Sequence, residues 1–243
     1  MGFTYYGDLL GISGFYRLSP RQAYNKLNDF YNVTFSCLSE YCRSQGDVKV
    51  HMFSDSLLIW GNDEREILEK LQILYLELVR KGLLLRGAIV NEKLTFDIRT
   101  ELENFHKNLP VNDTMARAVG LGQTQKGSRL LIENSLVEIL LDRYPDWMTH
   151  EGYIQNIRPN LSIDCLCRRI CPTPDNKTYE FLYFWMQNSN LNNENQLAAI
   201  KEKLIELSKI FIEDIAVHYK ETWRLFKQSI RRKKITERKL GLD

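Results

Sequence analysis

The chain has 243 residues, of which 44% are hydrophobic and 26% charged, and its formal net charge is +2. A chain of this length can bury one substantial core, and so balanced a charge disfavours a protein whose whole surface binds nucleic acid. The sequence contains no apolar stretch long enough to span a membrane and no signal peptide. We therefore expect a cytoplasmic protein without membrane contact.

The first part of the chain predicts a strand, a helix and a hairpin. FTYYGDLLGISGF predicts a short, aromatic and partly buried strand that stops at Gly11 to Gly14. Ser19 and Pro20 are suited to the N-cap and first turn of a helix, which we expect to reach about Tyr41. VKVHMF and SLLIW then alternate as paired strands do, so they predict a hairpin whose two-residue turn is Ser54–Asp55.

The next elements alternate between helices and strands. Asn62 or Asp63 can cap a second helix, which the pattern of leucines carries to Gly82. LLLRGAIV is an apolar run with one arginine, which is typical of a central strand. The segment from Asn91 to Pro110 predicts a loop with a short helix. A helix over VNDTMARAVGLGQ, a strand over SRLLI and a helix over ENSLVEILLDRY follow.

The pattern changes after residue 145. LSIDCLC and YEFLYFW predict an antiparallel strand pair, and one long helix follows from about Asn192 to Arg238. We expect residues 1–145 to form a catalytic core on which residues 146–243 pack, within one domain. The fold class predicted by this element order is an α/β (α+β) sandwich: a mostly antiparallel sheet flanked by helices.

The long helix ends in the basic string IRRKKITERK. Basic residues at a helix C-terminus are favoured by the helix dipole, so a solvated helix end is the first interpretation. The alternative is a surface that binds an anionic partner or nucleic acid.

Two acids are the strongest candidates for chemistry. Asp8 ends the first predicted strand and Asp55 lies at the tip of the hairpin, so pairing of these strands would bring both carboxylates to one edge. Two close carboxylates repel each other unless a cation lies between them, and hard oxygen ligands suit Mg²⁺ or Mn²⁺. The bend after Asp8 leaves backbone carbonyls, such as that of Leu9, free to add ligands. The alternative is that Asp55 is only a turn residue.

Three segments resemble the motifs of one enzyme family. YYGDLLGISGF is similar to the first metal-binding strand of class III nucleotidyl cyclases, FSDSLLIW to their second metal hairpin, and LLRGAIV to the strand that follows. The resemblance covers roughly residues 3–132 and implies the class III cyclase fold. It implies a reaction in which the ribose 3′-hydroxyl attacks the α-phosphate and pyrophosphate leaves, with two Mn²⁺ or Mg²⁺ ions held by Asp8, Asp55 and the Leu9 carbonyl.

The sequence departs from the family at the residues that read the base and stabilise the transition state. His51 occupies the place of the purine-reading lysine, and the region of Leu109 that of the purine-reading aspartate. The family's asparagine and arginine align near Ala116 and Gly120, although Asn112 and Arg117 lie close enough to replace them. Arg86 is a candidate for binding the triphosphate or, equally, for a structural ion pair.

The form of the hairpin and the short chain most resemble the Pycsar pyrimidine cyclases of bacterial antiphage defence. That resemblance implies UTP as substrate ahead of CTP, and cyclic UMP as a messenger read by a separate effector protein. It places an aromatic nucleotide contact at Tyr5, three residues before the first metal ligand. The alternative is an ordinary aromatic strand residue.

The resemblance also implies a homodimer with composite sites, since one chain holds a single copy of the metal motifs. Two other functions remain open from the sequence: a catalytically dead homologue that binds a nucleotide, and a nucleic-acid-binding module that uses the basic C-terminal helix.

Overall fold

A computed structural model describes residues 2–97, 109–145, 154–157, 178–184, 194–210 and 213–239. The strands are β1 (Phe3–Leu9), β2 (Lys49–Phe53), β3 (Ser56–Gly61), β4 (Leu85–Asn91), β5 (Phe96–Asp97), β6 (Leu109–Pro110), β7 (Leu130–Ile132), β8 (Ile154–Ile157) and β9 (Thr178–Phe181). The helices are α1 (Ile12–Leu18), α2 (Pro20–Ser44), α3 (Glu64–Arg80), α4 (Thr114–Gln123), α5 (Asn134–Arg143), α6 (Glu194–Ser208) and α7 (Glu213–Lys239).

Seven strands form one sheet in the order β2-β3-β1-β4-β7-β9-β8. Every neighbouring pair is antiparallel except β4 and β7, which are parallel. The predicted mostly antiparallel sheet flanked by helices is therefore confirmed. Strands β8 and β9 join this sheet through β7, so the chain beyond residue 145 extends the sheet that the first 145 residues build.

The predictions of helices α2 and α3 and of the β2–β3 hairpin are confirmed, whereas the short helix α1 was not predicted. The Ser19 hydroxyl accepts a hydrogen bond from the backbone N–H of Gln22 at the start of α2, and Asp63 caps α3 through the N–H of Glu66 at 2.8 Å. Both caps satisfy backbone donors that the first helical turn leaves free. The turn between β2 and β3 consists of Ser54 and Asp55, with Ser54 at φ 52°.

The two faces of the sheet differ. Alternate residues of β1, such as Phe3, Tyr5 and Leu9, lie in the main core with α2 and α3. The opposite face of β4 carries Ala88 and Val90, which pack with α4 in a smaller cluster. On β2 this opposite face is uncovered, and Phe53 is 83% exposed.

The C-terminal half differs from the prediction in two ways. The predicted strand LSIDCLC lies outside the described residues. Strand β9 pairs with β7 and also with β8, a short polar strand whose sequence IQNI gave no strand signal. The single long helix is two helices, α6 and α7, packed on each other. Helix α6 ends at Ser208, after which the N–H of Lys209 donates to the Glu206 carbonyl and the N–H of Ile210 to the Leu207 carbonyl. Helix α7 then packs along the core.

The segment from Asn91 to Pro110 holds β5 and β6, which pair with each other. The short helix expected in this segment would fall on residues 98–108, outside the described part. Within the described residues, no helix has the length and apolar character needed to cross a bilayer.

Candidate active site

Pairing of β1 with β3 brings the two predicted acids together. Asp8 lies directly opposite Ser56, the first residue of β3, and Asp55 precedes Ser56 in the hairpin turn. The backbone carbonyl of Asp55 accepts a hydrogen bond of 2.8 Å from the N–H of Leu9, which ties the hairpin tip to the end of β1. The structure thus places Asp8, Leu9 and Asp55 at one edge of the sheet.

A third charged residue reaches the same edge from β4. Arg86 lies opposite Asp8 in the register of β1 and β4. Its Nη2 is 3.0 Å from Oδ2 and 3.3 Å from Oδ1 of Asp8, and its Nε is also 3.3 Å from Oδ1. The side chains are 14% exposed for Arg86 and 30% for Asp8. Arg86 therefore forms a forked ion pair with Asp8, which was one of its two predicted roles.

The surroundings of Asp8 disfavour its negative charge. Burial raises the pKa of Asp8 above the ordinary value, the Arg86 guanidinium opposes that shift, and the nearby Asp55 carboxylate adds to it. A cation bound between the two acids would reverse the balance by favouring the charged form of Asp8. The Asp8 carboxylate is thus set up to gain from a bound cation.

The donor set fits a hard divalent ion. It offers two carboxylates and the backbone at Leu9, and hard oxygen donors of this kind suit Mg²⁺ or Mn²⁺ that completes its shell with water and phosphate oxygens. The described residues contain no group of three or more His, Cys, Asp or Glu side chains that could enclose a metal. An ion at Asp8 and Asp55 would therefore be held only in part by the protein.

Tyr5 and Tyr6 lie on different faces of β1. Tyr5 is fully buried on the core face, where its hydroxyl is 3.0 Å from that of Tyr75. Its ring crosses Gly7 and Gly87, and a Cβ on either glycine would lie within 2.5 Å of the Tyr5 hydroxyl. Tyr6 shares the face of Asp8, and its hydroxyl is 3.0 Å from that of Ser56. The structure does not bring Tyr5 together with Asp8.

His51 lies on the face of the sheet that carries Asp8. It is opposite Leu58 on β3, and Leu58 is opposite Tyr6 on β1. The His51 ring is exposed and packs edge to face against Trp60 with 4.8 Å between ring centroids. His51 is therefore available to a ligand on this face, two strands away from β1.

Asn112 and Arg117 lie at the opposite end of β4 from Asp8. Asn112 donates hydrogen bonds to the Lys93 carbonyl at 2.8 Å and to the Glu92 side chain at 3.1 Å. Arg117 forms ion pairs with Glu133, Glu92 and Asp113. Arg86 and the end of β4 at Asn91 are five residues apart, or roughly 16 Å along a strand. Within one chain, Asn112 and Arg117 are therefore remote from Asp8.

Helix α7 contacts both loops beside the Asp8–Arg86 pair. At the loop after β1, a Cβ on Gly11 would lie 2.6 Å from Ile215. At the loop before β7, the N–H of Gly127 donates to Nδ1 of His218 at 3.1 Å, and the N–H of Ser128 donates to the Thr222 hydroxyl at 2.8 Å. The C-terminal helix therefore holds both loops in place.

His218 marks a region of positive charge. Burial, together with the positive charges of Arg86 and Lys126, lowers the pKa of His218 to about 4. Its Nδ1 already accepts the Gly127 N–H, so a proton there would break that bond. His218 is neutral at pH 7 beside two cations, Arg86 and Lys126, which are suited to bind an anion.

Three of these features were absent from the sequence prediction: Tyr6, His218 and the contact of α7 with the site. Period-two alternation along β1, counted from Asp8, would have placed Tyr6 and not Tyr5 on the face of the acids. His218 and α7 gave no such signal, because the bonds of His218 and Thr222 span 91 and 94 residues.

No protein-family model matches the chain, and no curated protein matches it by sequence. Solved structures do match. An adenylate cyclase of Trypanosoma brucei in its monomeric state is 12% identical with a TM-score of 0.53, and the match covers 77% of this chain and 90% of that one. A bacterial light-regulated adenylyl cyclase is 10% identical with a TM-score of 0.50, covering 83% of this chain and 97% of that one.

A third match is the non-canonical dimeric guanylyl cyclase domain of a RhoGC fusion protein from the aquatic fungus Blastocladiella emersonii. It is 12% identical with a TM-score of 0.50, and the match covers 74% of this chain and 95% of that one. The fold is that of a nucleotide cyclase catalytic domain. Identities this low establish the cyclase fold alone.

Proposed function

We propose that the protein is a nucleotide cyclase that converts a nucleoside triphosphate to its 3′,5′-cyclic monophosphate and pyrophosphate. The observation that carries this proposal is the convergence of Asp8 and Asp55 at one sheet edge, with Arg86 beside them. Intramolecular attack of the 3′-hydroxyl on the α-phosphate needs positioning and charge neutralisation more than further side-chain chemistry. Two acids and a small cluster of cations on a cyclase fold suit that requirement.

Each residue of this site has a proposed role. Asp8, Asp55 and the Leu9 carbonyl would hold two Mn²⁺ or Mg²⁺ ions. Such ions, when bound, supply acidification of the 3′-hydroxyl and neutralisation of the leaving pyrophosphate. The guanidinium of Arg86 can donate to phosphate oxygens in the forked geometry that it uses with Asp8. Lys126 adds positive charge nearby, and the neutral His218 holds the loop that carries it.

The substrate within this proposal is a pyrimidine nucleotide, with UTP ahead of CTP. His51 stands where the motif resemblance places the purine-reading lysine, and it lies exposed on the face of Asp8. Tyr6 lies on the same face, so an aromatic ring there could limit the space for a base. A one-ring pyrimidine would fit where a two-ring purine clashes.

A homodimer with composite sites is part of the proposal. Asn112 and Arg117 are too far from Asp8 to serve it within one chain, but a two-fold axis could bring the partner's copies to it. The face of Asp8 is uncovered at β2, where Phe53 is 83% exposed, so an apolar surface is available for a partner. One matched fungal cyclase domain is a non-canonical dimer, so a cyclase domain of this fold can associate with a second copy.

The resemblance to pyrimidine cyclases extends the proposal to antiphage defence. Cyclic UMP would then be a messenger that a separate effector protein detects. This role rests on the sequence motifs alone. A phage challenge of cells that carry the protein with its effector would test it, with an Asp55→Asn chain as the inactive control.

A catalytically dead nucleotide-binding homologue is the second candidate function. The ion pairs of Arg117 with Glu133, Glu92 and Asp113 favour it, because they engage the arginine that would replace the family's transition-state residue. Incubation of the purified protein with each of the four nucleoside triphosphates and Mn²⁺, with products identified by mass, separates the two. A cyclic product supports the cyclase; tight nucleotide binding without any product supports the homologue.

A further inference from the structure

The forked contact between Arg86 and Asp8 occupies both oxygens of a proposed metal ligand. Three donor–acceptor distances of 3.0–3.3 Å join the two side chains, and the register of β1 and β4 holds their backbones opposite each other. A divalent ion at Asp8 needs at least one of the same oxygens. It would also meet the guanidinium charge at close range, where like charges repel. Arg86 and the ion therefore compete for Asp8.

Arg86 has few favourable places to go when it leaves Asp8. Apart from Asp55, which the ion also needs as a ligand, the charged side chain near this site is Lys126, whose positive charge acts with that of Arg86 on His218. His218 itself accepts the Gly127 N–H through Nδ1 and offers no negative charge. Movement of Arg86 away from Asp8 and towards Lys126 thus becomes favourable only when an anion lies between the two cations.

We infer that Arg86 couples the two ligands of the site: it holds Asp8 until a triphosphate and a divalent ion arrive together. This inference rests on the proposed function. The ion draws Asp8 away from Arg86, and the triphosphate receives the guanidinium that Asp8 releases. Because coupling between two ligands is reciprocal, each one must strengthen the binding of the other.

The coupling has a consequence for an empty site. Neither ligand alone meets its full set of partners, since the ion alone must displace Arg86 into a positive region and the anion alone must compete with Asp8. Free Mn²⁺ is therefore bound weakly by the resting protein, and the metal-nucleotide complex is bound well. Substitution of Arg86 should leave Asp8 free to bind the ion, and substitution of Asp8 should leave Arg86 free to bind the anion.

Binding of Mn²⁺ without nucleotide tests the metal half, with unbound Mn²⁺ measured by electron paramagnetic resonance. Arg86→Gln should bind Mn²⁺ about tenfold more tightly than the unchanged chain, which is the scale of one charge-assisted hydrogen bond. Arg86→Lys keeps the charge but cannot fork, so a gain there reports the lost contact rather than the lost charge. Lys126→Gln is the matched control: it removes a neighbouring positive charge and leaves the Arg86–Asp8 pair in place.

Binding of inorganic tripolyphosphate in the presence of EDTA tests the anion half, independently of the base. Asp8→Asn should bind it about tenfold more tightly than the unchanged chain, because Arg86 is released. Asp55→Asn removes the same charge next to the site without releasing Arg86, and it should gain less. Thermal melting of each variant establishes that it is folded.

The results separate the inference from the proposed function. Equal Mn²⁺ affinities in folded Arg86→Gln, Arg86→Lys and unchanged chains overturn the coupling, and so does an equal gain in Asp8→Asn and Asp55→Asn. If no chain binds Mn²⁺ even with a nucleoside triphosphate present, the metal site and the cyclase proposal fail instead. Stronger Mn²⁺ binding in both Arg86 variants, with little change in Lys126→Gln, supports the coupling.

Discussion

Tyr5 and Tyr6 are consecutive residues, yet the Tyr5 hydroxyl bonds to Tyr75 in the core while the Tyr6 hydroxyl bonds to Ser56 on the opposite face of β1. Only Tyr6 therefore shares a surface with Asp8 and His51. The two neighbours let a structural role be separated from a role in substrate choice, because each tyrosine can be changed without the other.

Substitution of Tyr6 should have a different effect from substitution of Tyr5. Tyr6→Ala should relax discrimination between pyrimidine and purine triphosphates, because it removes a ring from the face of the acids. Tyr5→Phe should leave the product ratio unchanged and lower the free energy of unfolding by about 1 kcal/mol, since it removes one buried hydrogen bond. Product ratios from equal mixtures of UTP, CTP, ATP and GTP measure the first effect, and urea unfolding the second. A changed ratio in Tyr5→Phe alone would restore Tyr5 as the nucleotide contact.

Loss of either acid should abolish cyclisation. Asp8→Ala and Asp55→Ala should each lower kcat/KM by about 10³-fold or more, roughly 4 kcal/mol, because each carboxylate is a proposed ligand of the ions. Circular dichroism should show an intact fold. Asp63→Ala is a matched control, since that acid only caps α3. Near-normal turnover in folded Asp55→Ala would end its assignment as a ligand.

Two inactive chains should complement each other if the sites are composite. A mixture of Asp8→Ala and Arg117→Ala chains can form heterodimers in which one of the two sites has both groups intact. Activity should return in the mixture, up to about a quarter of the unchanged level for random pairing. Sedimentation at the assay concentration should show a dimer. Full activity in a sample that sediments as a monomer would contradict the composite site.

The buried pair of Arg129 and Glu180 should be needed for stability. Nη1 of Arg129 is 2.6 Å from Oε2 of Glu180, and the side chains are 6% and 0% exposed. Arg129→Met should lower the free energy of unfolding by about 3–5 kcal/mol, because it leaves a buried carboxylate unpaired. The double variant Arg129→Met/Glu180→Leu should recover most of the loss. A single variant as stable as the unchanged chain would show that Glu180 is protonated and independent of Arg129.

Acid should destabilise the protein through His218. Its pKa is lowered by burial to about 4, whereas an unfolded histidine titrates near 6.5. Between those values the unfolded chain binds more protons than the folded one, so stability rises with pH through this window and falls on acidification. The loss should be on the order of 1–2 kcal/mol, with partial exposure taken into account.

His218→Asn provides the comparison for that measurement. Asparagine can still accept the Gly127 N–H through its side-chain oxygen but does not titrate. Melting temperatures from pH 7 to pH 4 should therefore diverge, with the unchanged chain losing more than the variant. Parallel curves would show that His218 is not the responsible group.

Local sequence signals predicted the parts of the fold that local physics determines. Ser19 and Asp63 cap helices, and Ser54–Asp55 forms the hairpin turn, because each acts within about four residues of chain. The break between α6 and α7 was not predicted, since both halves have helical periodicity and no Gly or Pro stands between them in the sequence. Strand β8 was not predicted because its sequence lacks an apolar pattern and its strand conformation depends on pairing with β9.

In the candidate site, too, some features could be predicted from the sequence and others could not. Asp8 and Asp55 could be paired from the strand order, because antiparallel neighbours bring a strand end and a hairpin tip together. The engagement of Arg117 could not, since its partners Glu92 and Glu133 are 25 and 16 residues away. The forked pair of Arg86 with Asp8 needed the register of β1 and β4, which a sequence pattern leaves open by one or two residues.

Because α7 contacts the loops of the site, these loops can open locally while the sheet stays folded. The loops at Gly11 and Gly127 are both held by this helix, whereas β1 and β4 are held by their own ladder of strand bonds. A fluctuation that lifts α7 would release both loops while the sheet stays paired. Amide hydrogens of Gly127 and Ser128 should then exchange at the rate at which α7 opens, well before those of β4. A ligand or partner that binds the C-terminal end of α7 would therefore control the site, because it would change how often the loops at Gly11 and Gly127 open.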